Sequence, residues 1–428
     1  MSWMRRVGIA LAVSLLGIDL LPGIRPLLQL PMVITVAVGQ RAAVPIGLPG
    51  MVSVRVPPSG IKLLNGTAGG WSVLPKGFLD LEAQRPGSFE VDLRIFGLLP
   101  WGALTVDAVE VPEVIPGGQS IGLILHSACV LVVGSAAGLL PWIGRDSLRP
   151  GDCIVSADGQ TVQSAHALRL AVQNAGQTGE ALVLGIVRGT AHQQISVRPE
   201  RSGGIYRIGV PVQTSASGIG TLTFYQPGGV YAALGHPVVF GSGITLPLAS
   251  GHMVPSLIAG IEKSEPGDPG QKLGILESRY SLGSVLANTP LGVFGRLDGS
   301  LPTTRWDTPV AIALEDQVHQ GPATMLTVVR GTSVEAYPVD ITAVYPERSM
   351  SAEGLTIQVT DPLLLRATGG IVQGMSGSPI VQDGRLVGAV THVFVRDPSR
   401  GYGVLAIWMA EQAGLVAPAT IAALARVS

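Results

Sequence analysis

The sequence is poor in charged residues and in cysteine, and each shortage excludes a class of protein. Charged residues make up 13% of the 428 residues, about half of the usual quarter. The formal net charge is -1 and no run of Lys or Arg occurs, which excludes nucleic-acid binding through a basic surface. The two cysteines, Cys129 and Cys153, are too few for a disulfide framework or a four-cysteine zinc site. We expect two unpaired buried thiols in preference to a single bridge.

Apolar residues, glycine and proline are plentiful instead. Hydrophobic residues account for 46% of the chain, and the mean hydropathy is +0.43. The 57 glycines and 32 prolines favour many short strands joined by tight turns over long helices. At about 100–200 residues per domain, the length predicts two or three domains of mainly β class.

The N-terminus has the pattern of a targeting signal. Arg5 and Arg6 precede an apolar run from Val7 to Ile18, which Asp19 interrupts. A positive region followed by an apolar region is typical of export signals. We predict a signal-anchor over residues 1–24, with a cleaved signal peptide as the alternative. Either one leaves the rest of the chain outside the cytoplasm, membrane-tethered or secreted.

Residues 25–109 are predicted to form a small β-rich region. The segments 33–38 and 51–56 are rich in β-branched residues, and residues 89–96 alternate apolar and polar side chains. Alternation with a period of two is typical of a half-buried strand. We find no pattern of catalytic or ligand-binding residues in this region.

Residues 110–200 resemble a PDZ domain. The carrying features are Pro150-Gly151-Asp152, the Asp158-Gly159 turn, a helical stretch from Ser164 to Asn174 and a final strand over residues 181–188. In PDZ domains an extended peptide adds a strand at a sheet edge, and backbone N–H groups hold its carboxylate. The resemblance implies such a peptide-binding loop within Ser120 to Leu125, formed by Ile121, Gly122, Leu123 and Ile124.

Residues 201–428 are predicted to be a further β domain that carries the chemistry. The Gly374-Met375-Ser376-Gly377 turn has the form of a nucleophile turn, in which the backbone N–H groups of Gly374 and Ser376 can converge on an oxyanion. A strand, an Asp383-Gly384 hairpin and another strand follow it, which favours a peptidase turn over an ordinary one. Ser378 is the runner-up nucleophile.

A serine nucleophile needs a base, and the base needs an orienting acceptor. His236 follows a strand and a glycine and is the first histidine of this domain, with His252 as its rival. From the residues alone, the acid that orients the histidine is either Asp340 or Asp361. Asp361 precedes Pro362 and is equally suited to cap a helix.

Long motifs of this domain resemble the stage IV sporulation protein B peptidase family. They are residues 368–380 around Ser376, residues 388–395 and 397–403 beyond it, residues 218–225 and residues 233–236. The resemblance implies a chymotrypsin-like double β-barrel over residues 201–428 and a triad of His236, Asp361 and Ser376.

The resemblance also implies a function and partners. It implies a self-processing serine endopeptidase of the space between the forespore membranes. Its protein substrate would regulate an intramembrane metalloprotease, which releases a mother-cell sigma factor. The PDZ domain would bind a peptide or the protein's own N-terminal segment. No metal or organic cofactor is implied.

Two other functions are compatible with parts of the sequence. A non-catalytic, PDZ-containing envelope scaffold is the main alternative. A lipase-like hydrolase is disfavoured, because β-hairpin signals rather than a helix follow Ser376.

Overall fold

A computed structural model describes residues 33–417 apart from 47–48, 68, 75, 135–146, 227–228, 241–242, 300, 302–305 and 347–352. The predicted signal-anchor at residues 1–24 lies outside the described residues. No helix within the described ranges is long and apolar enough to cross a membrane. The chain divides into two compact units, with boundaries after Pro112 and after Leu415.

The first unit is the β-rich region predicted before residue 110. It contains a five-stranded sheet in the order β1-β8-β7-β3-β5 and a three-stranded sheet in the order β2-β6-β4. Both sheets contribute buried aliphatic side chains and Phe89 to one core. The strands are β1 (Val33–Ala37), β2 (Arg41–Pro45), β3 (Val52–Arg55), β4 (Ile61–Leu63), β5 (Ser72–Val73), β6 (Phe78–Ala83), β7 (Gly87–Ile95) and β8 (Leu99–Val109).

The second unit holds the remaining elements. Its strands are β9 (Glu113–Pro116), β10 (Ser120–Val132), β11 (Cys153–Ala157), β12 (Gln160–Thr161), β13 (Leu182–Arg188), β14 (Ala191–Val197), β15 (Glu200–Ser202), β16 (Ile205–Arg207), β17 (Val212–Tyr225), β18 (Val230–Ala233), β19 (Val239–Phe240), β20 (Ile244–Thr245), β21 (Leu248–Glu262), β22 (Gln271–Leu276), β23 (Gly283–Thr289), β24 (Gly292–Leu297), β25 (Val310–Ala311), β26 (Gly321–Thr327), β27 (Glu335–Val344), β28 (Leu355–Val359), β29 (Pro379–Gln382), β30 (Arg385–Phe394) and β31 (Asp397–Leu405). The helices are α1 (Ala165–Thr178), α2 (Pro362–Thr368) and α3 (Ala406–Gln412).

Two closed barrels of six strands each form the greater part of this unit. In the first barrel the antiparallel pairings run from β10 through β17, β18, β24, β23 and β21 and return to β10. The second barrel closes in the order β26-β27-β28-β31-β30-β29. Closure leaves a barrel no free sheet edge to pair with other chains. The predicted hairpin at Asp383-Gly384 is confirmed, since it joins β29 to β30.

The PDZ-like part comprises β11 to β14, helix α1 and the second half of β10. Helix α1 begins where the sequence predicted it, because the Ser164 hydroxyl accepts a hydrogen bond from the Ala167 N–H at 3.1 Å. Leu168 and Val172 of the helix pack on Ile154, Leu184 and other buried side chains of the strands. Strand β10 belongs to both parts, because residues 120–126 pair within the first barrel while Val130 and Leu131 pair with β11.

The two cysteines are joined, contrary to the expectation of unpaired thiols. Cys129 of β10 and Cys153 of β11 form a disulfide, with their Cα atoms 5.5 Å apart. The pairing of Leu131 with Cys153 brings the two strands side by side, a tertiary contact that cysteine count alone does not predict. The bridge ties the barrel strand to the PDZ-like part.

Loss of this bridge is expected to lower the free energy of unfolding. The loop that it closes spans 24 residues, for which the chain-entropy relation gives about 3.5 kcal/mol. We expect the Cys129→Ser, Cys153→Ser double variant to unfold at correspondingly lower urea concentration. Oxidised wild-type protein treated with reductant should follow the variant, whereas reductant should leave the variant unchanged.

Candidate active site

A pocket of about 550 Å³ contains both Ser376 and His236. Strands of the first barrel surround it together with the segment preceding β29 and strand β30 of the second barrel. Its wall is mostly aliphatic, and among the described residues no Asp or Glu lines it. The aliphatic wall includes Leu123, Leu125, Ile219, Leu234, Val238, Val239, Ile371, Val372, Val393 and Val395.

Ser376 lies in the turn between α2 and β29, with its hydroxyl in the pocket. Its Oγ donates a hydrogen bond to the Thr391 carbonyl oxygen at 2.7 Å. The runner-up Ser378 is fully buried, and its Oγ donates to Thr327 Oγ1 at 3.0 Å. A substrate in the pocket can reach Ser376 but not Ser378, so the structure favours the first choice.

The backbone around Ser376 presents two N–H groups for an oxyanion. The Gln373 carbonyl accepts from the Lys272 N–H at 2.9 Å, and the Met375 carbonyl accepts from the Ser378 N–H at 2.9 Å. In a trans peptide the C=O and N–H point in opposite directions. The N–H groups of Gly374 and Ser376 therefore point away from these two bonds, and neither has an acceptor among the described residues. Free, fixed donors of this kind are what an oxyanion hole requires.

Gly377 permits a very close approach between this turn and the first barrel. Its φ is +93°, and a Cβ there would lie 2.1 Å from the Thr221 carbonyl oxygen and 2.5 Å from the Leu234 nitrogen. The Thr221 N–H in turn donates to the Ser376 carbonyl oxygen at 2.9 Å. Only glycine fits this space, so the Ser376 turn is held against the loop that carries His236.

His236 follows β18 through a sharp turn. Leu234 and Gly235 both have positive φ, +69° and +72°, and a positive φ is uncommon for leucine. The Nδ1 of His236 lies 2.9 Å from the Pro237 carbonyl oxygen. Because a carbonyl can only accept, Nδ1 carries the hydrogen and Nε2 keeps its lone pair. Burial lowers the pKa of His236 to about 4, so the ring is neutral at pH 7.

His392 is a second histidine at this site. Its ring centroid lies 4.8 Å from that of His236, and burial also lowers its pKa. The strand β30 brings it to the pocket, directly after Thr391. Sequence spacing does not reveal this neighbour, because it depends on how the second barrel meets the first.

The two predicted acids lie at the start of α2 and within β27. The Asp361 carboxylate caps α2 and accepts from the Leu364 N–H at 2.7 Å, so the capping role predicted for it is confirmed. Asp340 lies within β27, opposite Gln358. Neither residue lines the pocket, and no hydrogen bond joins Asp361 to His236 in the described part of the chain. The role of Asp361 in a triad stays a prediction, and Pro237 supplies the acceptor seen at His236.

Lys272 is a residue of this site that the sequence analysis missed. It is 4% exposed, and its Nζ lies 3.1 Å from Ser120 Oγ, 3.0 Å from Thr327 Oγ1 and 3.4 Å from Thr221 Oγ1. Its stem lies against Gly374, and desolvation lowers its pKa to about 7. Lys272 follows Gly267-Asp268-Pro269-Gly270 by two residues, which is the only sequence signal near it.

The predicted peptide-binding loop of the PDZ-like part is wrong. Ile121 to Ile124 lie within β10 and pair with β17 on one side and β21 on the other. A strand paired on both sides has no free edge for a peptide. Leu123 lines the active-site pocket instead.

The open groove of the PDZ-like part lies beside α1. It has a volume of about 500 Å³ and is bounded by α1 and by residues 205–212. The Gln173 side chain donates to the Tyr206 carbonyl at 2.7 Å and accepts from the Tyr206 N–H at 3.2 Å. Segment 205–212 leads directly into β17, the strand that contacts the Ser376 turn through Thr221.

Comparison with known proteins confirms the resemblance inferred from the sequence. Residues 204–410 match the model of the family described as SpoIVB peptidase S55. Five chains of solved structures match. One of them is the PDZ domain of the SdrC-like protein from Listeria monocytogenes, with 18% identity, coverage of 20% of this chain and 87% of that chain, and a TM-score of 0.17. A search of curated proteins found no match.

Proposed function

Because residues 204–410 belong to the SpoIVB peptidase S55 family, we propose that this protein is a serine endopeptidase with Ser376 as nucleophile and His236 as general base. Two six-stranded barrels with the reactive groups from different barrels support a chymotrypsin-like double barrel. The observation that carries the proposal is the Ser376 turn. It places a hydroxyl and two N–H groups without acceptors in the pocket that contains a neutral histidine.

The geometry supports an acyl-transfer sequence. The Ser376 hydroxyl rotates from the Thr391 carbonyl toward His236, whose free Nε2 takes the proton as Oγ attacks the peptide carbonyl. The N–H groups of Gly374 and Ser376 stabilise the negative charge on the carbonyl oxygen. His236 then gives the proton to the leaving amine. In the second half of the reaction a water molecule attacks the acyl-enzyme, with His236 taking its proton and returning it to Ser376 Oγ. The Pro237 carbonyl keeps the ring in the tautomer that each step needs.

The resemblance supports a specific biological setting. We place the peptidase in the space between the forespore membranes, tethered through residues 1–24 or released from them. Its substrate would be the protein regulator of a membrane-embedded metalloprotease, and its cleavage would activate a mother-cell sigma factor. The aliphatic pocket wall favours an apolar substrate side chain beside the scissile bond.

The groove beside α1 is the site that we propose for peptide binding by the PDZ-like part. It replaces the loop first predicted at Ile121 to Ile124. A bound peptide, from the substrate or from the protein's own N-terminal segment, would contact residues 205–212. These residues continue into β17, so binding there would act directly on a strand of the catalytic barrel.

A fluorophosphonate probe tests the proposed chemistry. The probe phosphonylates an activated serine hydroxyl, and mass mapping identifies the modified residue. We expect modification at Ser376 and none at Ser378, because Ser378 is fully buried. Absence of labelling in folded wild-type protein would favour the non-catalytic scaffold.

The acid limb of the pH–activity profile is expected near pH 4. His236 acts as a base only when unprotonated, and burial lowers its pKa to about 4 from 6.5. Activity should therefore hold as the pH falls from 7 to about 5 and decline only as it passes through about 4. Initial rates of peptide cleavage across this range measure the limb. A midpoint near 6.5 would show that another group, or a solvated His236, limits the reaction.

A further inference from the structure

One end of the five-stranded sheet in the first unit carries a cluster of exposed apolar side chains. We call it the apolar tip; it consists of Met51, Val73, Phe96, Leu98 and Leu99. Their exposed fractions are 39%, 53%, 63%, 80% and 63%. Exposed large apolar residues are normal when scattered singly. A contiguous group, however, marks a surface that binds another molecule or a membrane.

The tip is built around the hairpin that joins β7 to β8. Phe96, Gly97 and Leu98 form the turn, in which Phe96 and Gly97 have φ of +52° and +71°, and the Phe96 N–H donates to the Met51 carbonyl at 2.7 Å. A turn residue with positive φ is normally Asn, Asp or Gly. Phenylalanine at such a position is unfavourable for the turn itself, and Leu98 packs into no core. The folding of the unit does not account for these residues.

Arginine and tryptophan surround the base of the tip. The guanidinium of Arg94 lies 4.0 Å and that of Arg55 lies 5.3 Å from the centre of the Trp71 ring. Trp101 packs partly against the core of the unit. The Arg55 Nε donates to the Asp92 carboxylate at 3.0 Å, which balances its charge, whereas no ion pair of Arg94 occurs among the described residues. The hairpin segment from Ile95 to Trp101 contains no acidic residue. Aromatic rings and basic groups around an apolar end are typical of side chains at a bilayer interface.

We propose that the apolar tip inserts into the interface of a bilayer that contains anionic phospholipid, with Arg94 beside the headgroups. Phe96, Leu98 and Leu99 lie among the outer acyl carbons, and Trp71 and Trp101 lie at headgroup level. Insertion removes apolar surface from water and places the guanidinium near phosphate. The first unit is then held at the membrane surface by its own fold, whatever the fate of residues 1–24.

A fluorescent label at Leu98 tests the insertion. Both native cysteines are in the disulfide and the described residues contain no free cysteine, so Leu98→Cys in the full chain offers a single reactive thiol. An environment-sensitive dye there is expected to shift to shorter wavelength and brighten with vesicles of phosphatidylglycerol and phosphatidylcholine. Vesicles of phosphatidylcholine alone should give a smaller change, and Arg94→Gln should reduce the difference between the two.

Ser88→Cys is the matched control. Ser88 is exposed on β7, seven residues before Ile95, so its label stays in water in an inserted tip and should not shift. Equal responses at both positions, or none at either, would overturn the proposal. So would a shift at Leu98 that grows with protein concentration without vesicles, since that outcome identifies a second copy of the chain as the partner.

Discussion

Ser376→Ala is expected to lower the rate of peptide cleavage and of self-processing by about 10⁶-fold, the loss typical of a missing serine nucleophile. The fold should be unaffected, because the Ser376 hydroxyl makes one described bond, to the Thr391 carbonyl. Both N–H groups of the turn and the His236 ring remain in place. The measurement is the rate of cleavage of an apolar peptide, with intact mass reporting self-processing.

Ser378→Ala is the control for this experiment, two residues away in the same motif. Ser378 is buried, and in the described part of the chain its hydroxyl bonds only to Thr327 Oγ1. Its loss should cost about 1 kcal/mol of unfolding free energy while leaving most of the activity. A Ser378→Ala variant that is inactive yet folded, beside an active Ser376→Ala variant, would reverse the assignment of the nucleophile.

Lys272→Met is expected to lower the rate of cleavage by about a hundredfold while preserving the fold. Lys272 touches no substrate, so it is a positioning residue. Its ammonium holds Thr221 Oγ1, which itself donates to the Gly374 carbonyl at 2.8 Å. Without the amine, Thr221 is free to turn, and the peptide beside the oxyanion hole loses its anchor. A displacement of about 1 Å in such a group costs about a hundredfold in rate.

The pH dependence of stability separates this role from simple packing. The pKa of Lys272 is about 7 in the folded protein and 10.5 by its ordinary value. Between these values the unfolded chain binds more protons, so the free energy of unfolding rises with pH across this interval. Lys272→Met should remove that rise. It should not lower the stability at pH 7, since methionine replaces a buried charge that has no carboxylate partner among the described residues.

Lys263→Met provides a matched control, because Lys263 is an exposed lysine nine residues earlier in the chain. It should leave both the rate and the pH dependence of unfolding unchanged. Full activity in Lys272→Met, together with the wild-type rise in stability above pH 7, would show that Lys272 does not support the turn.

Local features of the active-site turn were predictable from the sequence. Gly374, Ser376 and Gly377 dictate a tight turn, and Asp383-Gly384 dictates the hairpin after it, because both follow from the φ angles that glycine allows. The start of the helix at Ala165 follows from Ser164, whereas its end at Thr178 lies four residues beyond the predicted Asn174. The helix cap at Asp361 follows from Asp361 and Pro362. Each of these depends on residues within about four positions of one another.

The other features of the site depend on the pairing of strands that are far apart in the sequence. The Cys129–Cys153 bridge, the position of Ile121 to Ile124 inside a barrel, and the neighbours of His236 all depend on which strands lie side by side. The Pro237 carbonyl that accepts from His236 is a backbone group that every residue has. Such an acceptor therefore cannot be predicted from the type of residue. Lys272 lies 104 positions before Ser376 in the chain. It contacts the Ser376 turn because β22, on which it lies, is packed against that turn.

The sequence by itself determined the tight turn around Ser376, the resemblance of residues 204–410 to the SpoIVB peptidase family and the mainly β class, because all three follow from local residue patterns. Only the tertiary structure decided which groups meet Ser376, because the pocket is assembled from two barrels. Closure of those barrels depends on the pairing of strands far apart in the chain. The same closure buries Ser378, leaves two N–H groups of the turn without acceptors among the described residues and keeps His236 neutral beside the Pro237 carbonyl.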